Sequence, residues 1–304
     1  MKHVLRDLVI LAAITWAAAS ELSGQRATAP HRIMGGSFEA SGVVYVPGSE
    51  GVLFVDDANT RSVFWMELSD AGVQRHPAVA VPLPGADVVD FEGMTTDGRY
   101  FYAVGSQSKK TGSDGDGLVR FTFDPAARKA GSVETVRALK RFLSQNVRDL
   151  GGVENLVGDD VLNIEALAWD PNGRRLLLGL RAPVAGSDAL VVPLTLRDPK
   201  APFTAENLTV EGNRAIRVST GGAGLRSLEF DPVGNRFLVI TGAPLNAETK
   251  DFRLFEWDGA EKTALRDLRK YSRKLKPEGI TRARLAGCDA LVVVFDTSAY
   301  EVLR

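Results

Sequence analysis

The chain has 304 residues, 44% of them hydrophobic and 25% charged, which is ample for a core and typical of a soluble protein. Lys and Arg number 37 against 38 Asp and Glu, a formal net charge of -1. That balance excludes a global attraction to nucleic acid or to an anionic membrane and leaves any electrostatic function to local arrangement.

Residues 1–20 read as a signal peptide. Lys2, His3 and Arg6 are basic, Leu8 to Ala19 is apolar, and Ala17 and Ala19 supply small residues for cleavage. An uncleaved anchor or a buried first helix is the alternative. The apolar run falls short of the roughly 20 residues that span a bilayer, and no later run is long enough. The expectation is an exported chain, periplasmic or extracellular, with residues 21–304 forming one domain.

The rest of the chain repeats itself, and a repeat decides the fold. The first hairpin begins at Ser41 and runs through Val43, Val44 and Tyr45 to Val52, Leu53 and Phe54. The second begins at Glu92 and turns at Asp97-Gly98. The third, from Asn163, turns at Asp170-Pro171-Asn172-Gly173. The fourth, from Gly224, turns at Asp231-Pro232-Val233-Gly234. The fifth begins at Glu278 and turns near Gly287. Asp-Pro-x-Gly is turn chemistry, since Pro fixes φ and Gly accepts positive φ. Third strands are expected at Ser62–Leu68, Leu118–Phe123, Ala189–Leu196, Phe252–Trp257 and Tyr300–Leu303. Fourth, more polar strands are expected at Ala78–Leu83, Ser132–Val136, Ala215–Ser219 and Ala264–Tyr271. The fifth copy lacks a fourth strand, and His31–Phe38 is expected to supply it. Leu139, Phe142, Leu143, Val147 and Leu150 form a helical stripe that Gly151-Gly152 should end.

The fold class is therefore an all-β propeller of five four-stranded blades, with one short helical insertion between blades two and three. The long second repeat leaves room for a sixth. The loops Gln107–Gly117, Ala182–Asp188 and Ala243–Asp251 and the helical insertion should share one face, as binding insertions do in repeat proteins.

The charges gather on that face. The first strands start with Ser41, Glu92, Glu165, Arg226 and Glu278. The second strands end with Asp57, Ser106, Arg181, Gly242 and Asp296, with Asp56 beside Asp57. A ring of carboxylates and two arginines is costly unless paired, hydrated or metal-bound. It reads as inter-blade salt bridges or as a site. In a site, Glu92, Glu165, Glu278, Arg181 and Arg226 would hold a polar or anionic ligand, the arginines suiting a carboxylate or phosphate. Asp57, Glu92, Glu165, Glu278 and Asp296 could instead gather calcium.

Other features say less. Asp114 and Asp116 resemble a fragment of a calcium loop without its full spacing or distal Glu, and read as a polar loop. Lys109-Lys110 reads as solvated. Cys288, the only cysteine, cannot form an intramolecular disulfide and reads as a turn or core residue. The three histidines (His3, His31, His76) do not pair with it. No nucleophile elbow, zinc-protease, Walker or dinucleotide fingerprint is present.

The segments 38–48, 93–106, 163–171 and 274–281 resemble the bacterial family of domain of unknown function 3616. That resemblance implies a propeller and no set activity. The Asp90-to-Gly93 strand start and Pro277-Glu278-Gly279-Ile280 are similar to exported propellers with esterase-like activity of phytase. Ala166 and Arg226 depart from that pattern. Two functions follow: a monomeric, non-catalytic module for a polar or anionic ligand or a protein partner, without an assigned cofactor, or a calcium-assisted phosphoester or ester hydrolase.

Overall fold

The computed structural model describes residues 29–58, 61–88, 90–109, 116–245 and 250–304. The expected signal peptide lies outside them. No helix among the described residues is long and apolar enough to cross a membrane.

Strand β1 (His31–Arg32) opens the chain. Blade one is β2 (Ala40–Tyr45), β3 (Gly51–Asp56), β4 (Ser62–Glu67) and β5 (Val79–Pro82). Blade two is β6 (Phe91–Thr96), β7 (Phe101–Gly105), β8 (Gly117–Asp124) and β9 (Lys129–Arg137). Blade three is β10 (Asn163–Asp170), β11 (Arg175–Ala182) and β12 (Asp188–Leu196), with β13 (Leu208–Val210) and β14 (Ile216–Ser219) sharing its outer edge. Blade four is β15 (Gly224–Asp231), β16 (Arg236–Gly242), β17 (Phe252–Trp257) and β18 (Arg266–Tyr271). Blade five is β19 (Pro277–Leu285), β20 (Cys288–Phe295) and β21 (Ala299–Leu303), completed by β1. Among the described residues the architecture is all-β, with five blades in a propeller.

The ring closes as expected, although the closing strand is only two residues long. His31 registers with Tyr300 and Arg32 with Ala299. The Ile33 amide donates to the Ser298 carbonyl at 2.9 Å, and the Phe38 amide to Ser298 Oγ at 3.0 Å. Pairing the last blade with an early segment of the chain closes the ring.

The core is five apolar layers, each between two neighbouring blades. Val44, Leu53, Phe91 and Phe101 pack between blades one and two, and Ile164, Leu178, Val104 and Leu118 between two and three. Side chains on both blade faces are thus buried, which is why these strands read as continuous apolar runs. Polar bonds register the inner strands. Thr95 Oγ1 accepts from the Trp169 amide at 2.9 Å, Ser227 Oγ from Ile280 at 3.1 Å, and Thr281 Oγ1 from Tyr45 at 3.0 Å.

Two details differ from expectation. The helix α1 (Leu139–Asn146) stops before Gly151-Gly152: Val147 turns to extended backbone, and Arg148–Leu150 forms a separate 3₁₀ turn. The stripe continues because both pieces bury their apolar residues in the layer between blades two and three. Blade three's outer strand is split, because the stretch after Leu196 detours through Phe203 before β13 and β14 both pair with β12. Cys288 is exposed at the start of β20.

Candidate functional site

Each inner strand has a β-bulge at the same place. In blade two Phe91 registers with Gly105 and Gly93 with Val104, so Glu92 is the extra residue. Glu165, Arg226 and Glu278 are the extra residues in blades three, four and five, and Ser41-Gly42 straddles the bulge in blade one. A bulge re-aims a side chain out of the pleat, and here it turns one residue per blade toward the axis. The residue that follows is small, because neighbouring inner strands nearly touch there. A Cβ on Gly279 would stand 2.2 Å from the Ser41 carbonyl oxygen, and one on Gly93 2.9 Å from Leu167.

These side chains line a cavity of about 590 Å³ at the channel mouth. Ser41, Asp57, Glu92, Ser106, Glu165, Arg181, Arg226, Glu278 and Asp296 all line it, as the repeat requires. Ala243, next to Gly242, takes the remaining place. Asp56 turns away, its Oδ1 accepting from the Glu39 amide at 3.0 Å.

The sequence reading missed a second tier of residues. Glu39, Asp90, Asn163 and Lys276 line the cavity from two positions before the bulged residue in blades one, two, three and five. The signal was their place in the chain, two residues before the bulged one at the start of the same inner strand. Loops supply Ser108, Lys109, Asp159, Leu245 and Lys250. The Ala182–Asp188 loop supplies no lining residue; its Ser187 carbonyl accepts instead from the Gly222 amide at 2.8 Å.

On one side of the mouth the charges are paired. Arg226 Nη1 donates to Glu165 Oε2 at 2.7 Å and to Glu278 Oε1 at 3.1 Å, so one guanidinium joins blades three, four and five. Arg181 Nη1 donates to Glu165 Oε1 at 2.9 Å, and Arg181 Nε to the Ala243 carbonyl at 3.3 Å. Asn163 Nδ2 adds a bond to Glu165 Oε1 at 3.1 Å. Burial opposes the Arg226 charge, but Glu165, Glu278 and Glu92 hold it above the usual guanidinium value. Burial pushes Glu278 up to about 8, against the pull of Arg226. Lys276 pairs with Asp296.

The other side holds carboxyls without guanidinium partners. Glu92 is half-buried and makes no hydrogen bond or ion pair among the described residues. Burial first, and then Glu165, Asp57, Asp90 and Glu278, push its carboxyl well above the usual range. Asp57 is raised to about 8 by burial and by a hydrogen bond from its carboxyl to that of Glu39. Its Oδ1 is buried without a hydrogen-bond partner. Asp90 receives the Ser106 hydroxyl and lies 3.6 Å from Lys109 Nζ. Asp90 and Gln107, both in the left-handed region at φ 61° and 64°, bracket this corner.

The geometry bears on the metal set. Among the described residues no three Asp, Glu, His or Cys side chains converge to hold a metal ion. Asp57, Glu92, Glu165, Glu278 and Asp296 share a mouth but not a point, because Arg226 and Arg181 stand among Glu165 and Glu278 and Lys276 engages Asp296. Asp114 lies outside the described residues. Asp116 is buried, and its Oδ1 accepts the Lys140 amide in the first turn of α1 at 2.9 Å. Lys109 is exposed, with Asp90 3.6 Å from its Nζ, and Lys110 lies outside the described residues.

Comparison with known proteins agrees with this architecture. By fold, the chain is similar to glutaminyl cyclase from Myxococcus xanthus, at 11% identity and TM-score 0.50 over 92% of this chain and 95% of that one. It is similar to the PQQ domain of pyranose dehydrogenase from Coprinopsis cinerea, at 12% identity and TM-score 0.50 over 90% and 94%. It is also similar to a Carbohydrate-Active Enzymes Family AA12 protein from Trichoderma reesei, at 10% identity and TM-score 0.50 over 91% and 95%. At such identities the likeness is one of fold alone. No curated protein matches the chain in sequence. The sequence model of the family described as Protein of unknown function (DUF3616) matches residues 127–302, more than half of the chain. The chain belongs to that family.

Proposed function

We propose that this member of the family is a non-catalytic binding module that takes a small polar ligand at the channel mouth, outside the cytoplasm. The observation that carries the reading is Glu92, turned into the cavity by its bulge and left without a hydrogen bond or ion pair among the described residues. A carboxyl so placed is costly unless a ligand meets it. Glu39, Asp57 and Glu92 together offer acceptors and, where protonated, donors. That suits a ligand rich in hydroxyl or amine groups.

The same geometry argues against an anion as the first choice. Arg181 and Arg226 are occupied by Glu165, Glu278 and the Ala243 carbonyl, so a carboxylate or phosphate would have to displace an existing partner. A calcium-assisted hydrolase would need Glu165 and Glu278 to leave those arginines. The cavity of about 590 Å³ lies within the range of small-molecule sites.

Thermal shift and calorimetry with myo-inositol, putrescine, inorganic phosphate and calcium test the reading. The expected result is saturable stabilisation by the polyol or the diamine that Glu92→Ala abolishes. Binding of phosphate alone, or calcium-dependent ester turnover, would replace this proposal.

A further inference from the structure

The turns that join first to second strands lie at the opposite end of the blades from the mouth. There blades two and three enclose a second cavity of about 490 Å³. Its walls are aromatic, with Tyr100, Trp169 and Phe203 facing it, and Arg99 and Arg174 stand on its rim.

Local chemistry fixes this arrangement. In the turn after β6, Asp97 Oδ1 accepts from the Arg99 and Tyr100 amides at 2.8 and 2.7 Å, and Oδ2 accepts the Tyr102 hydroxyl at 2.8 Å. Among the described residues Asp97 is the one carboxylate lining the cavity, and those three donors occupy it. In the turn after β10, Asp170 Oδ1 accepts from Asn172 and Gly173 at 3.0 and 3.1 Å, which leaves Arg174 exposed at φ 50°.

Arg120 is part of the wall. Its guanidinium lies 4.6 Å from both the Tyr100 and the Phe203 ring centroids, and Glu134 neutralises it at 2.6 Å. That stack holds the two rings in place. Arg99 lies 4.9 Å from the Tyr100 ring. Neither Arg99 nor Arg174 has a carboxylate within salt-bridge distance among the described residues, and both are exposed. The cavity therefore combines flat apolar walls with two uncommitted guanidinium groups.

We propose that this groove binds a small aromatic acid, a planar ring bearing a carboxylate. The ring stacks against Trp169, and the carboxylate meets Arg99 or Arg174, whose planar donors match it in a bidentate pair. The volume admits one such molecule. The site is separate from the channel mouth and stands or falls independently of the function proposed there.

The probe is 4-nitrobenzoate, followed on the full chain by calorimetry and by the part of the tryptophan quenching that Trp169→Phe removes. Its controls are 4-nitrobenzyl alcohol, which lacks the charge, and acetate, which lacks the ring. The expected result is saturable binding at millimolar concentration that weakens about ten-fold or more for either control. Arg99→Gln with Arg174→Gln should weaken it by a similar factor without moving Tm, since both side chains are exposed. Glu92→Gln should leave it unchanged. No saturable binding, equal binding of acid and alcohol, indifference to the double variant, or loss in Glu92→Gln would each overturn the proposal.

Discussion

At the mouth of the channel, Glu165, Glu278 and Asp296 on the side of blades three to five each pair with a cation, whereas Asp57 and Glu92 on the side of blades one and two face other carboxyls. The scaffold is the same on both sides: a bulged inner strand and the end of its partner. What differs is the sign of two residues. Blade four places Arg226 at the bulge, and blade three ends its second strand with Arg181; blade two has Glu92 and Ser106 at those positions. One sector thus sets its carboxyls against guanidinium and ammonium groups, and the other leaves Asp57 and Glu92 raised and without such a partner. The first behaves as a clasp between blades, and the second leaves hydrogen-bonding capacity facing the cavity.

The largest break in this comparison should come from Arg226→Met. Removing the shared cation leaves Glu278 without its guanidinium and Glu165 with Arg181 and Asn163 alone, and losing one partner of a buried pair costs up to about 3–5 kcal/mol. Urea unfolding at neutral pH measures it; a loss below about 1 kcal/mol would mean that the clasp holds nothing. Glu165→Gln should cost less, about 1–3 kcal/mol, whereas Glu92→Gln should stay within about 0.5 kcal/mol of the wild type. Equal losses would erase the distinction between the sectors.

The pH dependence follows next. Asp57, Glu278 and Glu229, the last also pushed up chiefly by burial, titrate at about 8 in the folded chain, against about 4 when unfolded. The folded state binds more protons between those values. Its stability is therefore highest on the acid side and falls as pH rises, levelling off above 8. Denaturation midpoints between about pH 5.5 and about pH 8.5 should decline, and less steeply in Asp57→Asn. A midpoint that rises over this range would contradict the account. Lys276→Gln, whose lysine is largely exposed, should cost less than about 1 kcal/mol in the same assay.

Much of this was legible from local chemistry. Asp170 and Asp231 open turns that announce themselves in Asp-Pro-x-Gly, and the apolar runs beside them could only be buried strands. Once the hairpins were in phase, Glu92, Glu165, Arg226 and Glu278 fell on one rim. The partnering was not legible. Whether Arg226 bridges Glu165 and Glu278 or stands ready for an anion depends on the blade-to-blade approach, which the small residues at Gly93 and Gly279 set and no local pattern reports. Glu39 and Asp90 were overlooked because they precede the strands. The detour through Phe203, which splits the outer strand of blade three, carries no repeat signal.

The most direct test of the central claim is a carbon-13 NMR titration of the Glu92 side-chain carboxyl. If burial and the surrounding carboxyls govern this sector, that carboxyl titrates well above the usual range. A Glu92 carboxyl already ionised at neutral pH, with an ordinary midpoint near about 4, would contradict it.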